Sequence, residues 1–243
     1  MQKMLKTLES YYQYPVDIEF TVNFTDYDAY TINLVQCRPL QTKGLTASVQ
    51  LPDHIKPEKV IFASEGYSMG GSISKPIKRI IYVDPQAYIE TPTSQKYSIA
   101  RLVGKLNRQI TNRETTPTLL FGPGRWGTTT PSLGVPVRFA EINKITALVE
   151  IAYEGGNLMP ELSFGTHFFQ DLVESDIFYV ALFPQKESVV FNKDKLLEMP
   201  NLLTNFLPEE HKYGDVVKVY EVDSDQLQIM CDIISQKVMC FFT

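Results

Sequence analysis

The chain has 243 residues, of which 44% are hydrophobic and 21% are charged, and its formal net charge is -5. This composition is typical of a globular protein and excludes a disordered chain, and the length suits one large domain or two modest ones. The negative charge argues against broad capture of nucleic acid, because such binding depends on Lys and Arg side chains that neutralise phosphates. A small anion held by a few placed cations remains compatible with this charge.

The cysteines and the first residues bear on the cellular compartment. Cys37, Cys231 and Cys240 are an odd number without metal-type or redox-type spacing, which indicates a reducing compartment, and we expect a cytoplasmic protein. Residues 1–13 carry apolar side chains at helical spacing, which predicts a helix and not a signal peptide. No segment approaches the ~18 apolar residues of a membrane span, so no membrane partner is predicted.

The sequence predicts a helix followed by a hairpin in the N-terminal part. The helix is expected to end before Pro15, and the strand-like residues 16–24 and 30–39 are joined by a polar stretch around Tyr27 and Asp28. Residues 41–56 lack periodicity and contain Gly and Pro, which is typical of a linker. We therefore predict a helix and hairpin over residues 1–43, a linker over 44–58 and a second domain over 59–243.

The second domain is expected to have a mixed α/β fold of the α+β type, in which a mixed sheet is layered with helices. Residues 226–242 fit a helix or a strand equally well. Runs rich in β-branched and aromatic residues predict strands at 60–63, 79–83, 118–121, 146–152, 178–183 and 216–222. Helices are predicted at 94–110, 167–174 and 193–206.

Four polar residues of the hairpin are the first candidate site. Side chains alternate across a strand, so Asp17 and Glu19 share one face of the first strand, and Gln36 and Arg38 share one face of the second. A turn at residues 27–28 opposes Asp17 to Arg38 and Glu19 to Gln36. Carboxylate and amide oxygens suit Mg²⁺, and the arginine fork suits phosphate. The other interpretation is a cross-strand salt bridge and a polar pair on a solvated face.

Two segments of the hairpin carry a resemblance to a known family. Residues 14–20 read Y-P-V-D-I-E-F and residues 30–39 read Y-T-I-N-L-V-Q-C-R-P. Together they resemble the end of the ATP-grasp nucleotide-binding domain of phosphoenolpyruvate synthase and pyruvate phosphate dikinase. The resemblance implies ATP and Mg²⁺ as cofactors of the complete protein. It implies that Glu19 and Gln36 lie on the metal side, that Arg38 faces the transferred phosphate, and that Asp17 matches a motif position.

The chain also departs from that family. The upstream lobe whose lysine and arginine residues grip ATP is missing, and so are the phosphohistidine segment and the pyruvate-binding barrel. The resemblance therefore implies a C-terminal fragment of a synthase-like ATP-dependent phosphotransferase that depends on the missing upstream lobe and is inactive alone. The alternative is a non-catalytic regulatory module that binds a partner or a small anion.

A second candidate site lies in the predicted second domain. The pattern G-P-G-R-W-G at residues 122–127, with G-T-H-F-F-Q further on, looks like an accessory region of synthase-like proteins. Glycines permit close backbone approach to an anion, and His167 is expected to begin a helix. We predict that Gly124, Arg125 and His167 approach one anion site, on which an independent enzyme is a third, weaker hypothesis. The competing interpretation buries Trp126 and Phe168 as core residues, with Arg125 in a surface ion pair.

Overall fold

The computed structural model describes residues 1–13, 16–26, 29–39, 48–153, 162–163, 166–223 and 226–243, apart from the side chains of residues 25, 26 and 39. The chain divides into two compact units, Met1–Thr42 and Lys43–Thr243. Of the predicted linker, residues 44–47 lie outside the described residues. Val49 belongs to the second unit, where its N–H donates to Asp232 Oδ1 at 3.4 Å.

The first unit is a helix and an antiparallel hairpin. Helix α1 (Gln2–Tyr12) is followed by strands β1 (Val16–Asp26) and β2 (Ala29–Pro39). The predicted order of elements is confirmed, and Tyr27 and Asp28 of the predicted turn lie outside the described residues. None of the described residues of this unit is buried, so the unit has no core of its own among them.

The second unit contains eleven further strands and five further helices in its described residues. The strands are β3 (Val60–Glu65), β4 (Ser68–Met69), β5 (Ile73–Pro76), β6 (Arg79–Val83), β7 (Thr118–Pro123), β8 (Ala147–Ile151), β9 (Phe178–Leu182), β10 (Val190–Phe191), β11 (Val217–Glu221), β12 (Leu227–Asp232) and β13 (Lys237–Phe242). The helices are α2 (Pro85–Glu90), α3 (Thr93–Arg108), α4 (His167–Glu174), α5 (Lys193–Leu197) and α6 (Leu203–Phe206), with 3₁₀ turns at Pro57–Lys59, Phe139–Glu141 and Pro208–Tyr213.

The centre of the second unit is a six-stranded sheet in the order β11-β6-β7-β8-β9-β4. Strands β6 to β9 are parallel and consecutive, while β11 and β4 pair antiparallel at the edges. Because crossovers between parallel strands are right-handed, strands that are added in one direction place their connections on the same face. Residues of α3 and α4, such as Ile99 and Leu172, accordingly pack in one cluster on that face.

The opposite face of this sheet is covered by a second sheet, in the order β10-β3-β13-β12-β5, whose pairs are antiparallel. Side chains of the central strands alternate between the two layers. Leu120 packs toward the helices, whereas Leu119 and Phe121 pack toward the second sheet. The second unit therefore has three layers, with two buried clusters on either side of the central sheet, and the predicted mixed α/β class is confirmed.

Two expectations about individual elements need correction or a decision. The predicted helix at 193–206 is two short helices, α5 and α6, because Pro200 lies between them and a helix interior does not accept proline. Of the two readings of residues 226–242, the strand is right, since β12 and β13 pair as an antiparallel hairpin. Among the described residues, every helix is too short or too polar to span a lipid bilayer.

Candidate nucleotide site on the N-terminal hairpin

The register of the hairpin brings the four predicted polar residues together. Asp17 lies opposite Arg38, and Glu19 lies opposite Gln36. Residues directly opposite each other in an antiparallel pair project from the same face. The predicted pairing of these four residues, called the polar quartet below, is confirmed.

Asp17 and Arg38 form the one ion pair that the structure describes within the quartet. Arg38 Nε donates to Asp17 Oδ2 at 3.2 Å, and the two side chains are 30% and 39% exposed. A pair this exposed contributes little to stability, on the order of 0–1 kcal/mol. Its geometric effect is larger, because one bond to Nε orients the planar guanidinium group.

Glu19 and Gln36 supply the remaining oxygens of the quartet. A carboxylate and an amide oxygen opposite each other are hard ligands, and Mg²⁺ is commonly held by one or two protein oxygens together with phosphate and water. The donor set therefore fits a magnesium ion that is shared with a phosphate. Among the described residues, no three His, Cys, Asp or Glu side chains are grouped so that they could hold a metal ion.

A β-bulge marks the end of the polar quartet. The register shifts between Glu19 and Phe20, so that Phe20 lies opposite Leu34 and Val35 has no partner across the hairpin. Because of this extra residue, the side chains of β2 that precede Val35 point to the opposite face from the one that strict alternation from Gln36 would give. As a result, the apolar residues of both strands share one face, and this apolar face consists of Phe20, Val22, Phe24, Tyr30, Ile32 and Leu34.

The apolar face is largely uncovered within the first unit. Phe24 is 76% exposed, Tyr30 62% and Phe20 45%. The rings of Phe24 and Tyr30 contact each other, with their centroids 6.2 Å apart, but they are not packed under another described layer. A contiguous exposed apolar surface of this kind is typical of a surface that another segment covers.

The second predicted site has a different structure. The N–H groups of the glycine-rich loop already have acceptors inside the second unit: Gly124 N donates to Ile151 O at 2.9 Å, and Arg125 N to Leu133 O at 2.7 Å. Trp126 N donates to Glu150 Oε1 at 2.8 Å. An anion-binding nest made of these three N–H groups is therefore excluded, because each is already hydrogen bonded.

The buried carboxyl group of Glu150 is the acceptor that the Trp126 N–H of this loop binds. Glu150 is fully buried on β8, and its oxygens accept hydrogen bonds from Trp126 N, Ser163 N at 2.7 Å, Tyr179 Oη at 2.7 Å and Ser163 Oγ. Burial raises the pKa of Glu150 to about 7, although the hydrogen bonds oppose this shift. Sequence reasoning missed this residue. The signal was a single carboxylate within an apolar strand, since a buried charge requires partners.

The glycine-rich loop and the G-T-H-F-F-Q segment meet through packing. Gly127 has φ +69°, and a Cβ there would lie 2.2 Å from a ring carbon of Phe168, so only glycine fits. Ser163 Oγ also contacts Trp126 O at 3.0 Å. Trp126 is fully buried, which agrees with the interpretation of that residue as a core anchor.

His167 begins α4 as predicted, and it is exposed. Its Nδ1 lies 3.3 Å from Gln170 Oε1, and Thr166 Oγ1 caps the helix by accepting from Phe169 N at 3.2 Å. A cavity of about 590 Å³ next to Gly127 and Phe168 is lined by neither Arg125 nor His167. The anion site shared by Arg125 and His167 stays a prediction without support from these contacts.

Together, the hairpin fold and its polar quartet define a candidate segment of a nucleotide-phosphate site. Residues 1–59 match the family model of the AMP/ATP-binding domain of pyruvate phosphate dikinase. No curated protein and no solved structure matches the chain. The N-terminal part is thus similar to the ATP-binding domain of the family of pyruvate phosphate dikinase and phosphoenolpyruvate synthase, and the match includes the whole polar quartet.

Proposed function

We propose that residues 1–42 are the closing hairpin of an ATP-binding domain of the pyruvate phosphate dikinase type, and that the polar quartet helps to hold the phosphates of Mg²⁺-bound ATP. The observation that carries the proposal is the register that places Glu19, Gln36 and Arg38 on one face, within the segment matched by the family model. The whole chain would then be part of an ATP-dependent phosphotransferase.

Each residue of the quartet has a role that follows from its chemistry. Glu19 and Gln36 would hold Mg²⁺, which when bound screens the negative charge of the phosphates. Arg38 would donate its forked N–H groups to the phosphate that is transferred. Asp17, which bonds Arg38 Nε, is a positioning residue for that guanidinium group.

The uncovered apolar face supports the second half of the proposal, which is that this hairpin works only together with another lobe. Six apolar side chains lie on one face of a unit that has no buried residue among those described, and they would be buried if the remaining lobe of the ATP-binding domain packed on them. That lobe, with the cations that grip ATP, is the partner we propose. Because phosphoryl transfer is catalysed mainly by positioning, this chain alone should not turn over ATP.

The metal role can be tested on the chain as it is. Mn²⁺ replaces Mg²⁺ and broadens NMR signals of nearby nuclei, so we expect Mn²⁺ with ATP to broaden the backbone signals around Glu19 and Gln36. Glu19→Ala should remove this effect, whereas Glu9→Ala on the exposed face of α1 should leave it unchanged. Broadening on the hairpin that persists in Glu19→Ala would overturn the assignment of Glu19 and Gln36.

The dependence on another lobe has its own test. The purified chain is assayed for ATP hydrolysis and for phosphate transfer, with Arg38→Ala as the matched inactive form. No turnover above that variant is expected. Sustained turnover that is lost in Arg38→Ala would show that the hairpin is active without a further lobe. An in-frame coding sequence for such a lobe upstream of Met1 would identify the partner.

A non-catalytic binding module is the second candidate function, and it concerns residues 43–243. It is favoured by a cavity at the carboxyl end of the parallel strands, which is unrelated to the polar quartet. The third hypothesis, an enzyme centred on Arg125 and His167, loses its main argument because the loop N–H groups are already bonded inside the unit.

A further inference from the structure

The helix-covered side of the second unit contains a cavity of about 590 Å³, a volume within the range of small-molecule sites. Its walls come from four segments: α3, the end of the glycine-rich loop, residues 136–139 and α4. The loop contributes Gly127 and the G-T-H-F-F-Q segment contributes Phe168, so the two motifs of the second unit meet at this cavity. It is called the α3–α4 cavity below, and the polar quartet is not part of it.

Aromatic rings form the apolar part of the α3–α4 cavity. Phe139 and Phe168 are half-buried and pack against the core of the helical layer. The ring of Phe168 lies directly against Gly127, where a Cβ would be 2.2 Å from it. Tyr97 is 46% exposed, and its hydroxyl group donates to Thr129 O at 3.2 Å. The unit itself thus holds these rings in place, and they offer flat apolar surface to a ligand.

Arg101 is a fixed cation of this cavity. Its Nη2 donates to Pro136 O at 2.8 Å and lies 2.8 Å from Glu141 Oε2, so its charge is offset within the protein. The side chain is still 44% exposed, and in the described part of the chain no acceptor contacts its Nε or Nη1. A guanidinium group that is held at one nitrogen keeps other N–H groups for a ligand.

Arg138 and Asp171 carry the charges of the cavity that are not offset. Both residues line it and both are exposed. Neither forms an ion pair with any residue that the structure describes, and they are not paired with each other. A purely anionic ligand would meet the carboxylate of Asp171, and a purely cationic ligand would meet Arg138. A ligand that carries both charges can pair with both residues.

Two backbone groups add donors on the loop side of the cavity. The N–H groups of Gly127 and Thr129 have no acceptor within the described ranges, in contrast to those of residues 124–126. N–H groups of a turn are typical partners of an anionic oxygen, and here they lie on the same cavity as two arginines. These donors favour a carboxylate group in the ligand.

A larger cavity of the second unit differs in its chemistry. It measures about 670 Å³ and lies next to Tyr82, at the carboxyl ends of β6 and β8. Its charged lining residues are Glu58, Asp84, Asp194, Lys193 and Lys195, without an arginine among the described ones. Arginine forks, loop N–H groups and aromatic rings are combined in the α3–α4 cavity instead.

We propose that the α3–α4 cavity binds a zwitterion with an apolar side group, of the class of hydrophobic α-amino acids. The carboxylate of the ligand bonds to Arg138, Arg101 and the loop N–H groups. Its ammonium group pairs with Asp171, and its side group lies on the rings of Phe139 and Phe168. This site does not depend on the proposed phosphate site of the hairpin.

L-Phenylalanine is a suitable probe, because three related compounds each lack one of the recognised groups. Hydrocinnamate lacks the ammonium group, phenethylamine lacks the carboxylate and glycine lacks the ring. Each should bind to the full chain about 10-fold or more weakly than L-phenylalanine, as expected for the loss of one charged bond or of the buried ring. Titration calorimetry and saturation-transfer NMR measure these affinities. The backbone NMR signals of Gly127 and Thr129 should shift on binding.

Two variants test which groups of the cavity bind the probe. Arg138→Gln should weaken L-phenylalanine binding about 10-fold. Asp171→Asn should remove the preference for L-phenylalanine over hydrocinnamate. Arg108→Gln and Asp215→Asn are the matched controls, because both residues are exposed but do not line the cavity. All four variants should unfold within about 2 °C of the wild type, since each changes an exposed side chain.

The outcomes decide in both directions. A loss of L-phenylalanine affinity in Arg138→Gln, with both controls unchanged, supports the site. The proposal fails if L-phenylalanine does not bind at concentrations up to about 10 mM, or if a control weakens binding as much as Arg138→Gln. Hydrocinnamate that binds as tightly as L-phenylalanine would overturn the role of Asp171 and the zwitterionic class. Arg38→Ala should leave the affinity unchanged, and a loss there would place the ligand on the hairpin and end the proposal.

Discussion

The two units of this chain use apolar residues in opposite ways. In the second unit the central sheet is covered on both faces, and residues such as Ile80, Ile81 and Leu120 are 0% exposed. In the first unit the hairpin collects its apolar residues on one face and leaves them largely exposed, as with Phe24 at 76%. Good strand patterning therefore does not by itself make a unit with a core.

The difference lies in the number of layers. A sheet needs something to pack against, and the second unit provides helices on one side and a second sheet on the other. The described residues of the first unit form one helix and one hairpin, which is too little to enclose an apolar face. The lobe proposed above would supply the missing layer, and the same residues are similar to the AMP/ATP-binding domain of pyruvate phosphate dikinase.

The largest expected contrast is between two phenylalanines. Phe121 lies between the two sheets, with its ring centroid 5.6 Å from that of Phe62, so Phe121→Ala should lower the free energy of unfolding by about 3–5 kcal/mol. Phe24→Ala should change it by less than about 0.5 kcal/mol. Urea unfolding followed by circular dichroism and by Trp126 fluorescence measures both. A loss above about 1 kcal/mol for Phe24→Ala would mean that the apolar face is covered after all.

The next effect concerns pH and the buried carboxyl group of Glu150. Burial raises its pKa from about 4.5 to about 7, so between these pH values the native state keeps a proton that the unfolded state has lost. Stability from this group is full below about pH 4.5 and is lost as pH rises through 7, by about 3 kcal/mol in total. The unfolding free energy of the wild type minus that of Glu150→Gln should therefore fall by about this amount as the pH rises from below 4.5 to above 7. A constant difference would contradict the raised pKa.

Glu150→Gln should itself lower stability at pH 5, by about 2 kcal/mol. Each oxygen of Glu150 faces a backbone N–H group, that of Trp126 or that of Ser163. The NH₂ group of glutamine would oppose one of these donors, whereas a protonated carboxyl group accepts from both. Glu187→Gln, at an exposed position, is the control and should have no measurable effect. Equal stability of the two variants at pH 5 would show that Glu150 does not organise the loop.

The smallest expected effect is that of the ion pair in the polar quartet. Arg38→Ala should lower the free energy of unfolding by less than about 1 kcal/mol, because Arg38 and Asp17 are partly exposed. Lys75→Ala, which removes a surface pair with Glu114, is the matched comparison. A much larger loss for Arg38→Ala would indicate a structural role and weaken its assignment to phosphate.

Much of the sheet architecture could be predicted because it follows from the hydrophobic patterns of residues that are close together in the sequence. All five residues of β6 are buried, four of them hydrophobic, and such runs are typical of parallel strands that are covered on both faces. The polar quartet was also predictable, since alternation along two strands and one short turn determine it. The C-terminal hairpin was ambiguous because its turn contains Ile234 and has Gln236 at φ +56°, without the glycine that usually marks such a turn.

The remaining features depend on contacts between distant segments. Glu150 is bound by Trp126, Ser163 and Tyr179, which come from three different parts of the chain. The cavity next to Tyr82 likewise combines the end of β6 with residues after β9 and β10. Periodicity and motif spacing describe neighbours along the chain, so neither arrangement could be derived from them. The glycine-rich motif was noticed, but Gly122 and Gly127 serve packing against Trp126 and Phe168.

The bulge at Val35 has a consequence for how the hairpin tolerates change. The side chain of Val35 is 63% exposed, so nearly any residue type should be acceptable at this position. Its position outside the ladder nevertheless decides which side of β2 the preceding residues face, because side chains alternate with a period of two. If Val35 paired regularly opposite Phe20, Leu34, Ile32 and Tyr30 would move to the side of the polar quartet. The bulge, and not the identity of the residue in it, is what keeps the apolar residues of the two strands on one face.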